Sequence, residues 1–241
     1  YDEATKIMQY DLTTNITSIS AKGSAIFGVY DDKNISNLAK HFNNKDVAKF
    51  KDMIKKSSFE GKINQSLCMY DVSNSKLDKV YLVGLGEKNK FNEKKFLKAV
   101  IYVSNLCKKE NIKNIFLDLD ALMSNKKINI DWAIRNISIQ INGIDYLYSE
   151  TKSKTKSKTN YKVSKIIFLC ASVKSQYKTK LKKYFIQGSA ISNGIKLAKK
   201  LGDLPSNICT PTYLAKSAVA LGKENKNLNI KIHNEKEMKA M

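Results

Sequence analysis

From residue 79 to residue 171 the chain alternates short apolar runs with helical patterns, and this alternation constrains the fold more than any other feature. Val80, Tyr81, Leu82 and Val83 form a continuous apolar run ending in Gly84-Leu85-Gly86, and a helical pattern follows over 91–109. A strand with no polar alternate is one buried on both faces. Asn92 is placed to cap the helix, with Glu93 in the first turn, where a carboxylate is favoured. A second strand of the buried type spans 114–119, and 131–148 predicts a helix on which Trp132, Ile134, Ile137, Ile141 and Ile144 share an apolar face. The stretch 162–171 returns as a last strand. Strand, helix, strand, helix at this spacing predicts an α/β domain with at least part of its sheet parallel.

Upstream, 24–30 and 66–71 read as strands and 34–42 and 45–56 as helical pieces, which gives a mixed or parallel sheet with flanking helices over 1–171. The run TKSKTKSKTN at 151–160 has no apolar residue to bury and is expected to be a solvated loop. Beyond it, 172–204 predicts one long helix on which Leu181, Phe185, Ile191, Ile195, Leu197 and Leu201 recur at helical spacings. Gly188 and Gly194 interrupt it. Each glycine weakens a helix by about 1 kcal/mol relative to alanine, so the pair predicts close packing or a slight bend. Pro205 supplies the stop, and Thr210 with Pro211 opens another helix. A strand over 228–233 and a helix capped by Asn234 complete the chain. That is too little for a separate core, so 205–241 is expected to be the start of a second α/β domain, joined by the long helix.

The 241 residues suit one large domain or two modest ones. No apolar run approaches the roughly 20 residues a membrane span needs. Nor does a charged segment followed by an apolar one open the chain, so no membrane partner is expected and nothing marks the chain for secretion; because it begins with Tyr1 rather than Met, a leader removed ahead of it stays an open alternative. Cys68, Cys107, Cys170 and Cys209 lack any C-x-x-C spacing, which fits reduced thiols in a cytoplasmic protein.

Lysine and arginine number 43 against 22 acidic residues, a net charge of +21 that favours anionic partners. All but Arg135 are lysines, and lysine lacks the planar fork that reads guanine edges, so sequence-specific recognition of nucleic acid is not expected. Between Glu150 and Asp203 there is no acidic residue. Lys152, Lys154, Lys156, Lys158, Lys180, Lys182 and Lys183 are the candidate polyanion-binding residues there, and duplex DNA bound without sequence preference is the candidate partner. A solvated lysine face is the simpler reading of the same residues.

Gly84 and Gly86 stand where a phosphate loop would lie, but Asn89 occupies the place of the third glycine, so a plain strand-to-helix turn is expected. Asp118 and Asp120, two residues apart at a strand end, could share a cation; turn formation is the commoner role of acids at such exits. His41 and His233 have no metal-ligand neighbour in sequence and are expected at the surface.

The segment 188–241 resembles the leucyl aminopeptidase family, cytosolic metallo-exopeptidases, in which a helix joins the N-terminal domain to the catalytic one. Gly194, Ala198, Leu201, Pro205, Asn207, Thr210, Pro211, Leu214 and Ala215 match that helix and the turn after it, and the closing NEKEMKAM is similar to the family's next short helix. The strand, Gly-Leu-Gly and helix over 80–100 resemble the family's N-terminal domain. This implies that the parent protein releases N-terminal amino acids from peptides with two divalent ions, manganese or zinc, as a homo-hexamer. The family's metal ligands and catalytic residues lie downstream of Met241, so no catalytic or metal residue is carried onto this chain, and none is expected to bind metal. The alternative is a basic α/β module that binds a polyanion without catalysis. A nucleotide enzyme built on Gly84 and Gly86 is the least favoured.

Overall fold

Apolar residues on both sides of each central strand can be buried only if helices cover both faces of the sheet. The computed structural model has this arrangement, and it describes residues 8–18, 21–123, 127–151, 161–170 and 176–241. In chain order the elements are β1 (Gln9–Thr13), β2 (Gly23–Tyr30), α1 (Asn44–Lys56), β3 (Ser66–Met69), β4 (Leu77–Gly86), α2 (Glu93–Lys109), β5 (Asn114–Asp118), α3 (Asp120–Met123), α4 (Ile130–Gly143), β6 (Lys165–Leu169), α5 (Gln176–Asp203), α6 (Pro211–Glu224) and α7 (Glu235–Lys239). Among the described residues the six strands form one sheet in the order β1-β6-β5-β2-β4-β3. All neighbours run parallel except the β3 and β4 pair. The chain is therefore mixed α/β, as its sequence predicts.

Successive residues of the central strands feed opposite cores. Ile26, Val83, Leu85, Ile115, Leu117, Ile166 and Phe168 face a core completed by Phe96, Val100 and Val103 of α2, Ile134, Ile137 and Ile141 of α4, and Leu181 and Phe185 of α5. Phe27, Val29, Val80, Leu82, Phe116, Ile167 and Leu169 face the other core, closed by Leu38, Phe42, and Phe50 and Ile54 of α1. Burying each of these side chains contributes roughly 1.5–3 kcal/mol. Helix starts are set locally: the side chains of Asn43, Asn92, Asn129, Thr210 and Asn234 each accept a backbone N–H of the first turn.

The connections decide where a cleft opens. From β2 the chain passes through a 3-10 turn, Ser36–Lys40, into α1 on one face; from β5 it passes into α3 and α4 on the other. β2 and β5 are neighbours, so the chain diverges to opposite sides beyond their carboxyl ends and leaves a crevice there.

Several elements differ from expectation. β1 has no counterpart in the sequence reading; it is a five-residue edge strand with polar positions, held parallel to β6. Gly84-Leu85-Gly86 is the end of β4 rather than a turn: Gly84 N–H donates to Gln65 O and Gly86 N–H to Gly61 O, so both amides serve the backbone and no phosphate loop forms. A Cβ on Gly84 would lie 2.0 Å from Lys62 O, which is why glycine stands there. The helix expected over 131–148 stops at Gly143. No strand forms over 228–233, because no described strand lies beside it to exchange backbone hydrogen bonds.

The chain divides into two compact units, Tyr1–Tyr146 with Ser157–Asn193, and Leu147–Lys156 with Gly194–Met241. The stretch 172–204, expected to join two domains, is from Gln176 to Asp203 a single helix with residues in both units. Within the first unit α5 packs against α4 through a polar seam. Ser138 Oγ donates to Phe185 O at 2.8 Å, and Ser192 Oγ donates to Ile139 O at 3.0 Å. The close approach requires Gly188, whose Cβ would meet Arg135 O at 2.4 Å, whereas nothing lies within 4 Å of the same position on Gly194. Gly188→Ala should therefore destabilise the protein by about 1–3 kcal/mol through overpacking. Gly194→Ala should raise stability by up to about 1 kcal/mol. Urea unfolding of the two variants beside the parent chain checks both signs.

Candidate functional site

At the crevice between β2 and β5 three side chains from separate segments converge. Asp118 is the last residue of β5 and is buried. Its Oδ1 accepts the Asp120 N–H at 2.9 Å and its Oδ2 accepts from Asn37 Nδ2 at 2.6 Å. Asp120, the first residue of α3, is half-buried. Its Oδ1 accepts from Cys170 Sγ at 3.2 Å, and its Oδ2 lies 3.5 Å from Lys40 Nζ. His41 follows the 3-10 turn, is 4% exposed, and rests its ring 5.6 Å from that of Phe27. Neither of its ring nitrogens has a hydrogen-bond partner. One ligand-capable atom from each of His41, Asp118 and Asp120 lies within 4.8 Å of the others.

The electrostatics follow from burial. Loss of hydration pushes the Asp118 carboxyl up to about 7; the Asp120 charge adds to the rise, while the Asp120 amide and Asn37 oppose it. Burial also lowers the pKa of His41, with Lys40 reinforcing and Asp120 opposing the shift. The imidazole is thus held in its neutral, ligating form. Beside the trio opens a cleft of about 210 Å³, lined by Tyr30, Asn34, Asn37, Lys40, Lys88 and Asp120 among others. Asp120 is the member of the trio that reaches this cleft.

The residues singled out in the sequence fare differently. Asp118 does accept the Asp120 amide, as a turn former does, yet the pair also meets a histidine. His41 is not at the surface. It lies inside because Ile35, Leu38 and His41 stand three residues apart, and in a 3-10 turn such residues eclipse one another on the buried side. That spacing was the signal available in the sequence. His233 is half-exposed, 4.0 Å from Glu237 Oε2. Lys180, Lys182 and Lys183 are exposed on α5, while Lys152, Lys154, Lys156 and Lys158 lie outside the described residues.

Residues 26–155 match the N-terminal domain of the cytosol aminopeptidase family. The chain belongs to that family. It is 29% identical to the probable cytosol aminopeptidase of Blochmanniella floridana over 242 residues, covering 97% of this chain and 46% of that protein. To the corresponding protein of Paraburkholderia xenovorans it is 30% identical over 216 residues, covering 90% and 41%. The chain thus spans less than half the length of these relatives. Among solved structures, a mutant of tomato leucine aminopeptidase superposes with a TM-score of 0.73 at 15% identity, over 100% of this chain and 47% of that one. The bottromycin maturation enzyme BotP superposes with 0.65 at 15% identity, over 91% and 41%. At such identity these two likenesses speak for the fold alone.

The Asn37 contact is open to test. Removing a hydrogen bond to a buried carboxyl group costs about 1–3 kcal/mol. Asn37→Ala should lower the unfolding free energy in urea by that amount, while a substitution at exposed Asn89 should leave it unchanged.

Proposed function

We propose that this chain is the N-terminal part of a leucyl aminopeptidase, a two-metal exopeptidase that releases N-terminal amino acids from peptides, and that the chain alone lacks the active site. The match of residues 26–155 to the family's N-terminal domain carries this reading. The relatives' extra length supports it, since more than half of each lies outside the part shared with this chain. Two manganese or zinc ions, held by residues of the parent outside this chain, would supply activation of a water and polarisation of the scissile carbonyl. The parent assembles as a hexamer in the cytoplasm. No helix among the described residues is long and apolar enough to cross a membrane.

The acids after Glu150 are spread over three helices. Asp203 ends α5, Glu224 ends α6, Glu235 pairs with Lys239, and Glu237 completes the Asn234 capping box. Two adjacent divalent ions need several carboxylates that converge, and these do not. The second unit also exposes apolar side chains, with Leu214 at 45%, Ile232 at 45% and Met238 at 59%. In the proposed parent the rest of the catalytic domain covers them. Purified chain assayed against leucyl amides with added manganese or zinc should show no turnover, and the parent protein should. Metal-dependent turnover that survives removal of contaminating enzymes would overturn the fragment reading.

The exposure of Lys180, Lys182 and Lys183 on α5 favours a second role, sequence-independent binding of duplex DNA or another polyanion. Each phosphate neutralised releases counterions, so log affinity should fall with log salt at a slope of roughly 0.9 per contact. Replacing these three lysines together with Lys152, Lys154, Lys156 and Lys158 by glutamine should lower both affinity and slope. Unchanged binding would leave the lysines as a solvated face.

A further inference from the structure

We propose that His41, Asp118 and Asp120 bind one divalent transition-metal cation, with zinc the best-matched occupant. Two independent observations point to it. The first is convergence: one nitrogen and two carboxylate oxygens, from the turn after β2, the end of β5 and the start of α3, gather within 4.8 Å of one another. At zinc-to-ligand distances of roughly 2.0–2.2 Å, three atoms so grouped reach a common centre once each moves inward by up to about 0.7 Å. The second is the state of His41. Its side chain is 4% exposed and directed into this cluster, and neither nitrogen has a hydrogen-bond partner. Buried polar atoms are nearly always paired, and a metal bond occupies one of the two nitrogens.

The surroundings fit a ligand set already held in place. Asp118 receives Asn37 Nδ2 and the backbone N–H groups of Asp120 and Ala121, and Asp120 receives Cys170 Sγ, so both carboxylates are oriented from outside before a cation arrives. Two carboxylates side by side in a low-dielectric site repel each other. A divalent cation reverses that repulsion. Lys40 is the competing explanation, a side chain acting as counter-ion. It lies 3.5 Å from Asp120 Oδ2 and is 52% exposed, and the pairing does nothing for the unpaired nitrogens of His41. One imidazole with two carboxylates suits zinc better than magnesium, which prefers oxygen ligands and keeps its waters. Asp120, on the cleft wall, gives the ion its way in and leaves coordination positions for water or an anionic ligand. This inference stands apart from the proposed peptidase activity and departs from the expectation that the chain binds no metal.

The test uses the purified 241-residue chain, stripped with a chelator and titrated with zinc chloride by calorimetry. One equivalent should bind, more tightly than magnesium. His41→Phe, which keeps a ring against Phe27, and Asp120→Asn should each weaken zinc by at least about tenfold with circular dichroism unchanged. Lys40→Gln should leave zinc binding intact or tighten it. The chain has two histidines, so the imidazole resonances are assigned with His233→Asn, and zinc should shift the His41 signals. This readout needs no variant at the site. The proposal fails if zinc does not bind stoichiometrically, if His41→Phe and Asp120→Asn bind as the parent chain does, if magnesium binds more tightly, or if the shift falls on His233.

Discussion

Everything in the first unit depends on burying the central strands on both faces. Phe27, Leu82 and Phe116 on one side and Ile26, Ile115 and Ile166 on the other are nearly or wholly excluded from solvent. No strand that carries such residues on both faces is stable until helices cover each side, and the connections must therefore divide between the two faces. The division falls between adjacent strands β2 and β5. The cleft and the His41, Asp118 and Asp120 cluster sit at this division, so the position of the candidate site is a consequence of how the core is built.

Much of this was legible in the sequence, and the illegible parts share a cause. Asn92, Thr210 and Asn234 were readable because a cap is a contact between residues two or three apart. Continuous apolar runs such as 80–83 marked strands covered on both faces. By contrast β1 carries no such run; it exists because β6 offers a parallel edge, and only the fold supplies that neighbour. The cluster failed to show for a similar reason. His41 and Asp118 are far apart in sequence, and neither lies in a ligand-spaced motif. Only the crevice between β2 and β5 brings them together.

Asp118 shows how such a position is maintained without strain elsewhere. A carboxyl group at the end of a buried strand loses its hydration, and the fold answers with donors from the Asn37 amide and the backbone N–H groups of Asp120 and Ala121. Those donors fix the direction of the carboxylate before any ligand arrives. The cost of the arrangement is electrostatic rather than steric. A substitution that changes charge at Asp118 or Asp120 therefore acts on different energetics from one that changes volume at Phe27 or Gly188.

The second unit separates two kinds of instruction that the first unit superimposes. α6 and α7 have well-formed caps, and the Asn234 box is reciprocal, so local sequence alone fixes where these helices begin. Yet no residue of either helix is buried, and Leu214, Val219 and Met238 remain exposed. The apolar spacing that would direct them into a core is present without the core. The stretch 228–233 carries the same lesson for strands, since it has the alternation and lacks the neighbour. Ile230 packs against Gly222 instead of entering a ladder. Local signals thus specify elements one by one, whereas burial is a property of the assembled domain. Complete caps beside incomplete burial show the two kinds of instruction acting separately within one short unit.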